Sequence, residues 1–343
     1  MSGDRKIELF TSKEDTECDQ KKRNDRPEAV INYKIILRVA IELIFMLPIL
    51  LYKSVKNLFK KSKSVNGKIC LVTGTGRGLG RELAIKLATL GATVVCVDIR
   101  ENANNETVHM ITKTGGKAYG YTCNLAKHDE VIKLAEKVQK EVGQVFLLLN
   151  NAGLIMVHIG GKWPTEEVTS MFNVNTMSHC WMINAFLPAM KKHNEGHIAN
   201  VISISSFFPM PLLSIYGATK AAADYMLCAL RMELNFYKNN KIVVSGVYPS
   251  IVNTSPDIEY LYAKGNLGML QVEEAAEQTI KGILYDKKTI VVPGYMNFIM
   301  NWGKLLPEFL VIKLYTILNI CANFPTDKYK ENMPFYEILD KCT

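Results

Sequence analysis

Nothing in this chain is spaced to hold a metal ion. The eight cysteines, Cys18, Cys70, Cys96, Cys123, Cys180, Cys228, Cys321 and Cys342, are scattered, with no C-x-x-C pair and no zinc-ligand spacing. Several stand inside apolar strand-like runs, the habit of reduced core thiols, which argues for a reducing compartment around the main domain. Long runs of one charge are also missing. The formal excess of +8 is gathered in short clusters such as Lys60, Lys61 and Lys63, a pattern that suits a membrane surface and excludes a nucleic-acid partner. No internal repeat is visible.

An uninterrupted membrane span is absent too. The most apolar stretch, IILRVAIELIFMLPILLY at 35–52, has eighteen residues and is broken by Arg38, Glu42 and Pro48, where a bare span needs about 20. It begins behind a long polar tail, too far in for an ordinary signal peptide. The lysines that follow, Lys53, Lys56, Lys60, Lys61 and Lys63, would hold that flank and everything after it in the cytosol. A soluble amphipathic helix packed on the domain is the competing reading. The sequons at Asn105 and Asn253 should then stay unmodified.

What is present divides the chain into four parts. Residues 1–29 are polar and of mixed charge and read as a disordered tail. Residues 30–63 form a membrane-associated hydrophobic helix with its basic flank. Residues 64–294 alternate strand-like runs (KICLVT, TVVCVD, KAYGYTC, VFLLLN, HIANVISI, KIVVSGVY, TIVV) with helical patterns. That alternation predicts an α/β fold: one doubly wound parallel sheet of about seven strands, Rossmann-type, with helices on both faces. Residues 295–343 are a hydrophobic helical extension that either lies in a membrane interface or closes over a substrate cleft.

Two constellations carry chemistry. The loop Thr73-Gly74-Thr75-Gly76-Arg77-Gly78-Leu79-Gly80 follows the first strand and opens a helix. Its glycines permit a tight turn and place a pyrophosphate on the helix N-terminus. The spacing is G-x-x-x-G-x-G rather than G-x-G-x-x-G, because position 79 is leucine. Asp98, at the end of the second strand, would accept hydrogen bonds from a ribose diol and repel a 2′-phosphate, so NAD is the preferred cofactor. Arg77 and Arg100 keep NADP open.

Tyr216 and Lys220 are four residues apart and share one face of a helix. The ammonium favours phenolate, which suits general acid/base work. They follow a strand ending in Ser203-Ile204-Ser205-Ser206, a source of hydroxyls for a substrate oxygen.

These motifs, together with Asn150-Asn151-Ala152-Gly153 after the fourth strand, Asn175 in the next helix, and Tyr248-Pro249 followed by Thr254, resemble the short-chain dehydrogenase/reductase superfamily over residues 67–293. The resemblance implies a Ser-Tyr-Lys site in which Tyr216 moves the alcohol proton. It further implies that Lys220 holds the nicotinamide ribose, Asn175 anchors a proton-relaying water, and Asn151, Ala152 and Gly153 support the sheet near the adenine side. It also implies that Asn124, Leu125, Pro249 and Thr254 bind the cofactor, Asn124 at the adenine and the turn after Pro249 facing the nicotinamide. Three departures stand out. The serine pair lies eleven and ten residues before Tyr216 instead of about thirteen, so alignment across a loop shortened by three ranks Ser206 first, Ser205 second and Ser203 third. Asn124 replaces an acidic residue, and Ser250 replaces a glycine.

More narrowly, the hydrophobic segment, its lysines, the CVDIRENANNET stretch and the apolar tail resemble the membrane-associated retinol and 17-beta-hydroxysteroid dehydrogenase branch. That likeness implies a lipophilic alcohol or carbonyl substrate at the endoplasmic reticulum or lipid droplets, and a homodimer through the helices containing Asn175 and Tyr216. The alternative is a non-catalytic nucleotide- and lipid-binding protein of the same surfaces.

Overall fold

The computed structural model describes residues 48, 61–157, 162–210, 212–254, 268–297, 300 and 306–317. The chain falls into two units, 1–60 and 61–343. The polar tail and, but for Pro48 and residues 61–63, the hydrophobic segment of 30–63 therefore lie outside the described residues. Among the described residues no helix is long and apolar enough to cross a membrane.

The second unit runs β1 (Ile69–Thr73), α1 (Gly78–Thr89), β2 (Thr93–Asp98), α2 (Glu101–Lys113), β3 (Lys117–Thr122), α3 (His128–Glu141), β4 (Val145–Asn150) and α4 (Thr165–Phe172). It continues through α5 (Ser178–His193), β5 (Gly196–Val201), α6 (Ser214–Asn235), β6 (Ile242–Pro249), α7 (Val272–Leu284), β7 (Thr289–Val292) and α8 (Glu308–Ile317). The seven strands form one parallel sheet in the order β3-β2-β1-β4-β5-β6-β7. The predicted sheet is thus present. Of the apolar C-terminal extension, α8 is helical with Phe309, Ile312 and Ile317 exposed; residues beyond 317 lie outside the described residues.

The central strands are continuous apolar runs because both faces are covered, as parallel sheets require. Successive side chains point to opposite faces. Leu71, Val95 and Leu148 pack with Val131, Phe186 and Leu227 of α3, α5 and α6. Their neighbours Val72, Cys96 and Leu149 pack with Leu83, Ile111 and Ile280 of α1, α2 and α7. Burial holds the thiols of Cys70 and Cys96 protonated, both pushed up to about 12.

Strand order reverses between β1 and β4, which opens a crevice at their carboxyl ends, where a doubly wound sheet binds its ligand. One predicted strand is shorter than its apolar run. HIANVISI leaves the sheet after Val201, and Ile204–Ser206 form a 3-10 turn. The Ser203 hydroxyl accepts the Ser205 N–H at 3.1 Å, and the Ser206 hydroxyl donates to the Ser203 carbonyl at 2.8 Å. Serine side chains thus satisfy backbone groups that a strand ladder would otherwise claim.

Candidate active site

A cavity of about 740 Å³ lies along the carboxyl ends of the strands. Its lining brings together Gly74, Arg77, Gly78, Leu79, Gly80, Asp98, Asn124, Leu125, Asn151, Ala152, Gly153, Ser203, Ser205, Tyr216, Lys220, Pro249 and Thr254. Three sequence candidates, Gly76, Asn175 and Ser206, are not part of that lining.

The glycine loop is held from behind. Gly74 takes φ +72° and Gly78 φ +56°, left-handed values that favour glycine. A Cβ at Gly80 would stand 2.0 Å from the Gly74 carbonyl oxygen and 2.5 Å from Asn151 Nδ2, so helix α1 meets the loop at backbone contact. Asn151 Nδ2 donates to the Thr73 carbonyl at 2.8 Å, and the Thr73 hydroxyl accepts the N–H groups of Asn151 and Ala152 at 2.9 and 3.0 Å. The β4 turn is thereby fastened to the end of β1. On the other side, Asn104 donates to the Cys96 and Tyr121 carbonyls and accepts the Thr75 hydroxyl, while Arg81 donates to the Gly76 carbonyl at 2.6 Å. Arg81 directly follows the glycine motif, whereas Asn104 comes from α2 and only the fold connects it to the loop.

Asp98 is 5% exposed. One carboxylate oxygen accepts the Gly76 N–H at 2.8 Å; the other accepts the Arg100 N–H at 2.9 Å and its Nε at 3.3 Å. Gly76 therefore sits behind the carboxylate, where a Cβ would come within 2.9 Å of it. A buried anion at the loop's edge fits a ribose diol and opposes a phosphate. Glycine cradle, carboxylate and cavity together fit a nicotinamide dinucleotide.

Lys220 is 2% exposed and donates to the Val201 carbonyl at 2.9 Å. Burial pulls its ammonium down from 10.5 to about 8. Its Nζ lies 5.8 Å from the centre of the Tyr216 ring, across one turn of α6. At the strand end, Ser203 and Ser205 border the cavity, whereas Ser206 turns its hydroxyl onto the Ser203 carbonyl.

Asn175 lies in a π-helical turn, Asn173–Met177, between α4 and α5. Its Oδ1 accepts the Leu154 N–H at 2.7 Å, and its Nδ2 donates to the Leu154 carbonyl at 2.8 Å and the Thr219 hydroxyl at 3.0 Å. It ties the segment after β4 to the helix that carries Lys220. Thr219 and Leu154 escaped sequence reasoning because their roles depend on contacts between distant segments. After β4, β5 and β6 the lining turns apolar, with Leu154, Ile155, Val157, Met210, Leu213 and Ile251.

Among known proteins, a short chain dehydrogenase family model matches residues 68–261. The chain is 38% identical over 281 residues to short-chain dehydrogenase/reductase family 16C member 6 of Bos taurus, covering 81% of this chain and 88% of that protein. It is 33% identical over 293 residues to estradiol 17-beta-dehydrogenase 11 of Mus musculus, covering 83% and 96%. Among solved structures, a 7 alpha-hydroxysteroid dehydrogenase complexed with NADH and 7-oxo glycochenodeoxycholic acid superposes with a TM-score of 0.61 at 26% identity, covering 67% of this chain and 94% of that one.

Proposed function

This chain belongs to the short-chain dehydrogenase family and is an NAD(P)-dependent alcohol oxidoreductase; on that footing we propose that Ser203, Tyr216 and Lys220 interconvert a lipophilic alcohol and its carbonyl. The observation that carries the reading is one cavity whose lining holds Tyr216, the buried Lys220 and Ser203 together with a glycine loop backed by Asp98. The steroid names of its relatives and the apolar lining after β4, β5 and β6 support a steroid or comparably lipophilic substrate.

In the oxidative direction the Ser203 hydroxyl and the Tyr216 oxygen hold the substrate hydroxyl. Tyr216 as phenolate takes its proton. The neighbouring ammonium of Lys220, 5.8 Å from the ring centre, favours the phenolate by charge. The dinucleotide supplies the hydride acceptor when bound, and in reduction Tyr216 returns the proton. Gly74, Gly78, Gly80 and Asp98 would hold its pyrophosphate and ribose, with NAD preferred.

Ser203, ranked last on the motif text, is assigned here for two reasons. It stands thirteen residues before Tyr216, the family's usual interval, and it borders the cavity while Ser206 is spent on a backbone carbonyl. We further read the protein as attached to a membrane or lipid-droplet surface with this domain in the cytosol, supported by the apolar 35–52 stretch and the lysines after it.

Nicotinamide absorbance with detergent-solubilised protein tests the reading on a steroid, a retinoid and a long-chain alcohol. Tyr216→Phe and Ser203→Ala are expected to lose about 10²- to 10⁴-fold in kcat, the usual scale of acid/base assistance, while Ser206→Ala stays within about threefold of wild type. Wild-type turnover that survives Tyr216→Phe would overturn the mechanism.

A further inference from the structure

All seven strands run parallel, so each helix that follows a strand returns its C-terminus to the strands' amino ends, opposite the cavity. Three segments there, 191–195 before β5, 236–241 before β6 and 285–288 before β7, present six exposed lysines: Lys191, Lys192, Lys238, Lys241, Lys287 and Lys288. The two acids of these segments are already paired, Glu195 with Lys68 at 2.8 Å and Asp286 with Lys63 at 2.7 Å. A helix C-terminus attracts cations with only about half a unit of negative charge, so three helix ends account for fewer than two of the six lysines.

The three segments form one surface. β5, β6 and β7 are neighbours in the sheet. Asn194 Nδ2 donates to the Asn239 carbonyl at 2.9 Å, and its Oδ1 accepts the Lys241 N–H at 3.0 Å. The Gly246 N–H and Arg231 Nη2 both donate to the Lys288 carbonyl, at 2.9 and 3.0 Å. Lys191 Nζ lies 5.0 Å from the centre of the Tyr237 ring, and both residues join Lys238 in lining a cleft of about 240 Å³. The cavity end has the opposite sign at its helix starts: α3 opens with Asp129 and Glu130, α4 with Glu166 and Glu167, and α7 with Glu273 and Glu274. An anionic surface therefore attracts one end of the sheet and repels the other.

The path of the chain favours lipid as that anion. The apolar 35–52 stretch and the lysines after it lead into residue 61. At Lys63 the backbone N–H donates to the Leu284 carbonyl at 2.8 Å, and the ammonium pairs with Asp286. The chain thus joins the second unit beside the segment that carries Lys287 and Lys288. Tyr237, 60% exposed, adds an aromatic of the kind that settles among headgroups. We propose that the face formed by these three segments docks on anionic phospholipid headgroups, with the cavity at the opposite end. The proposal deepens the reading of the protein as attached to a membrane and adds a contact that the second unit makes itself.

Lysine acetylation followed by mass spectrometry tests this on the full chain reconstituted into nanodiscs of phosphatidylcholine, with and without phosphatidylserine. The six lysines are expected to label at least about threefold more slowly when phosphatidylserine is present, while Lys127, exposed at the cavity end, keeps one rate throughout. Combining Lys238→Gln, Lys241→Gln, Lys287→Gln and Lys288→Gln should return Lys191 and Lys192 to their rate on phosphatidylcholine alone. All four positions lie outside the cavity lining, so unchanged NADH binding shows that this variant is folded. Equal labelling of the six with and without phosphatidylserine overturns the proposal, as does protection of Lys127 to the same degree. Protection by a single-stranded oligonucleotide but not by phosphatidylserine overturns it in favour of a nucleic-acid face. A chain that fails to stay with phosphatidylcholine nanodiscs, yet is protected by phosphatidylserine, would sink attachment through 35–52 and spare this inference.

Discussion

Lys220 donates one hydrogen bond to protein, to the Val201 carbonyl, and is otherwise taken from water into a site where its charge is uncomfortable. A native pKa of about 8 against 10.5 for an ordinary lysine means that the folded state disfavours the protonated form. The difference corresponds to a destabilisation on the order of 3 kcal/mol at neutral pH. The folded pKa is lowered, so between about 8 and 10.5 the unfolded chain binds the proton that the native chain has lost, and stability rises with pH across that window. Lys220→Met should therefore unfold at a higher temperature than wild type at pH 7 while losing turnover, and the advantage should shrink as pH climbs from 8 to 10.5. Calorimetry at a series of pH values checks this. A variant less stable than wild type at pH 7 would mean that the Val201 carbonyl and the bound charge stabilise more than burial costs.

At the scale of elements, the site depends on how closely α1 approaches the turn after β1. Gly80→Ala places a methyl carbon within 2.0 Å of the Gly74 oxygen, and that atom belongs to backbone rather than a yielding side chain. Overpacking of this kind costs about 1–3 kcal/mol. It should also weaken NADH binding by at least about tenfold, since 1.4 kcal/mol is a factor of ten. Gly115→Ala is the comparison: φ is +84°, but nothing lies within 4 Å of the new carbon, so it should cost about 1 kcal/mol of stability through strain and leave NADH binding alone. Fluorescence titration with NADH separates the two. Equal binding by both variants would place the pyrophosphate elsewhere than this loop.

At the scale of the molecule, α6 presents Lys220 inward and a different face outward. Tyr225, Met232 and Phe236 are 79%, 67% and 86% exposed and recur at intervals of seven and four, on one side of the helix and its end. If two copies pair through this helix, as the family resemblance implies, this is the patch each would offer across a twofold axis. Phe236→Glu should convert a dimer to a monomer in sedimentation, with the fold intact by circular dichroism. A wild type that already sediments as one protomer would end that reading.

The sequence by itself determined the sheet and most of its lining. Apolar runs such as TVVCVD and VFLLLN mark strands buried on both faces, glycines before a helix mark the nucleotide loop, and the Tyr216–Lys220 interval sets one helical face. Each is a local signal, written by propensity and period within a few residues. Only the tertiary structure decided which hydroxyl borders the cavity, that of Ser203 rather than Ser206, because this depends on a 3-10 turn closed by serine hydrogen bonds. It alone also brought Asn104 against Thr75 of the glycine loop and Thr219 against Asn175. Those pairings join segments far apart in the chain through burial and directional hydrogen bonds, and no period along a single segment encodes them.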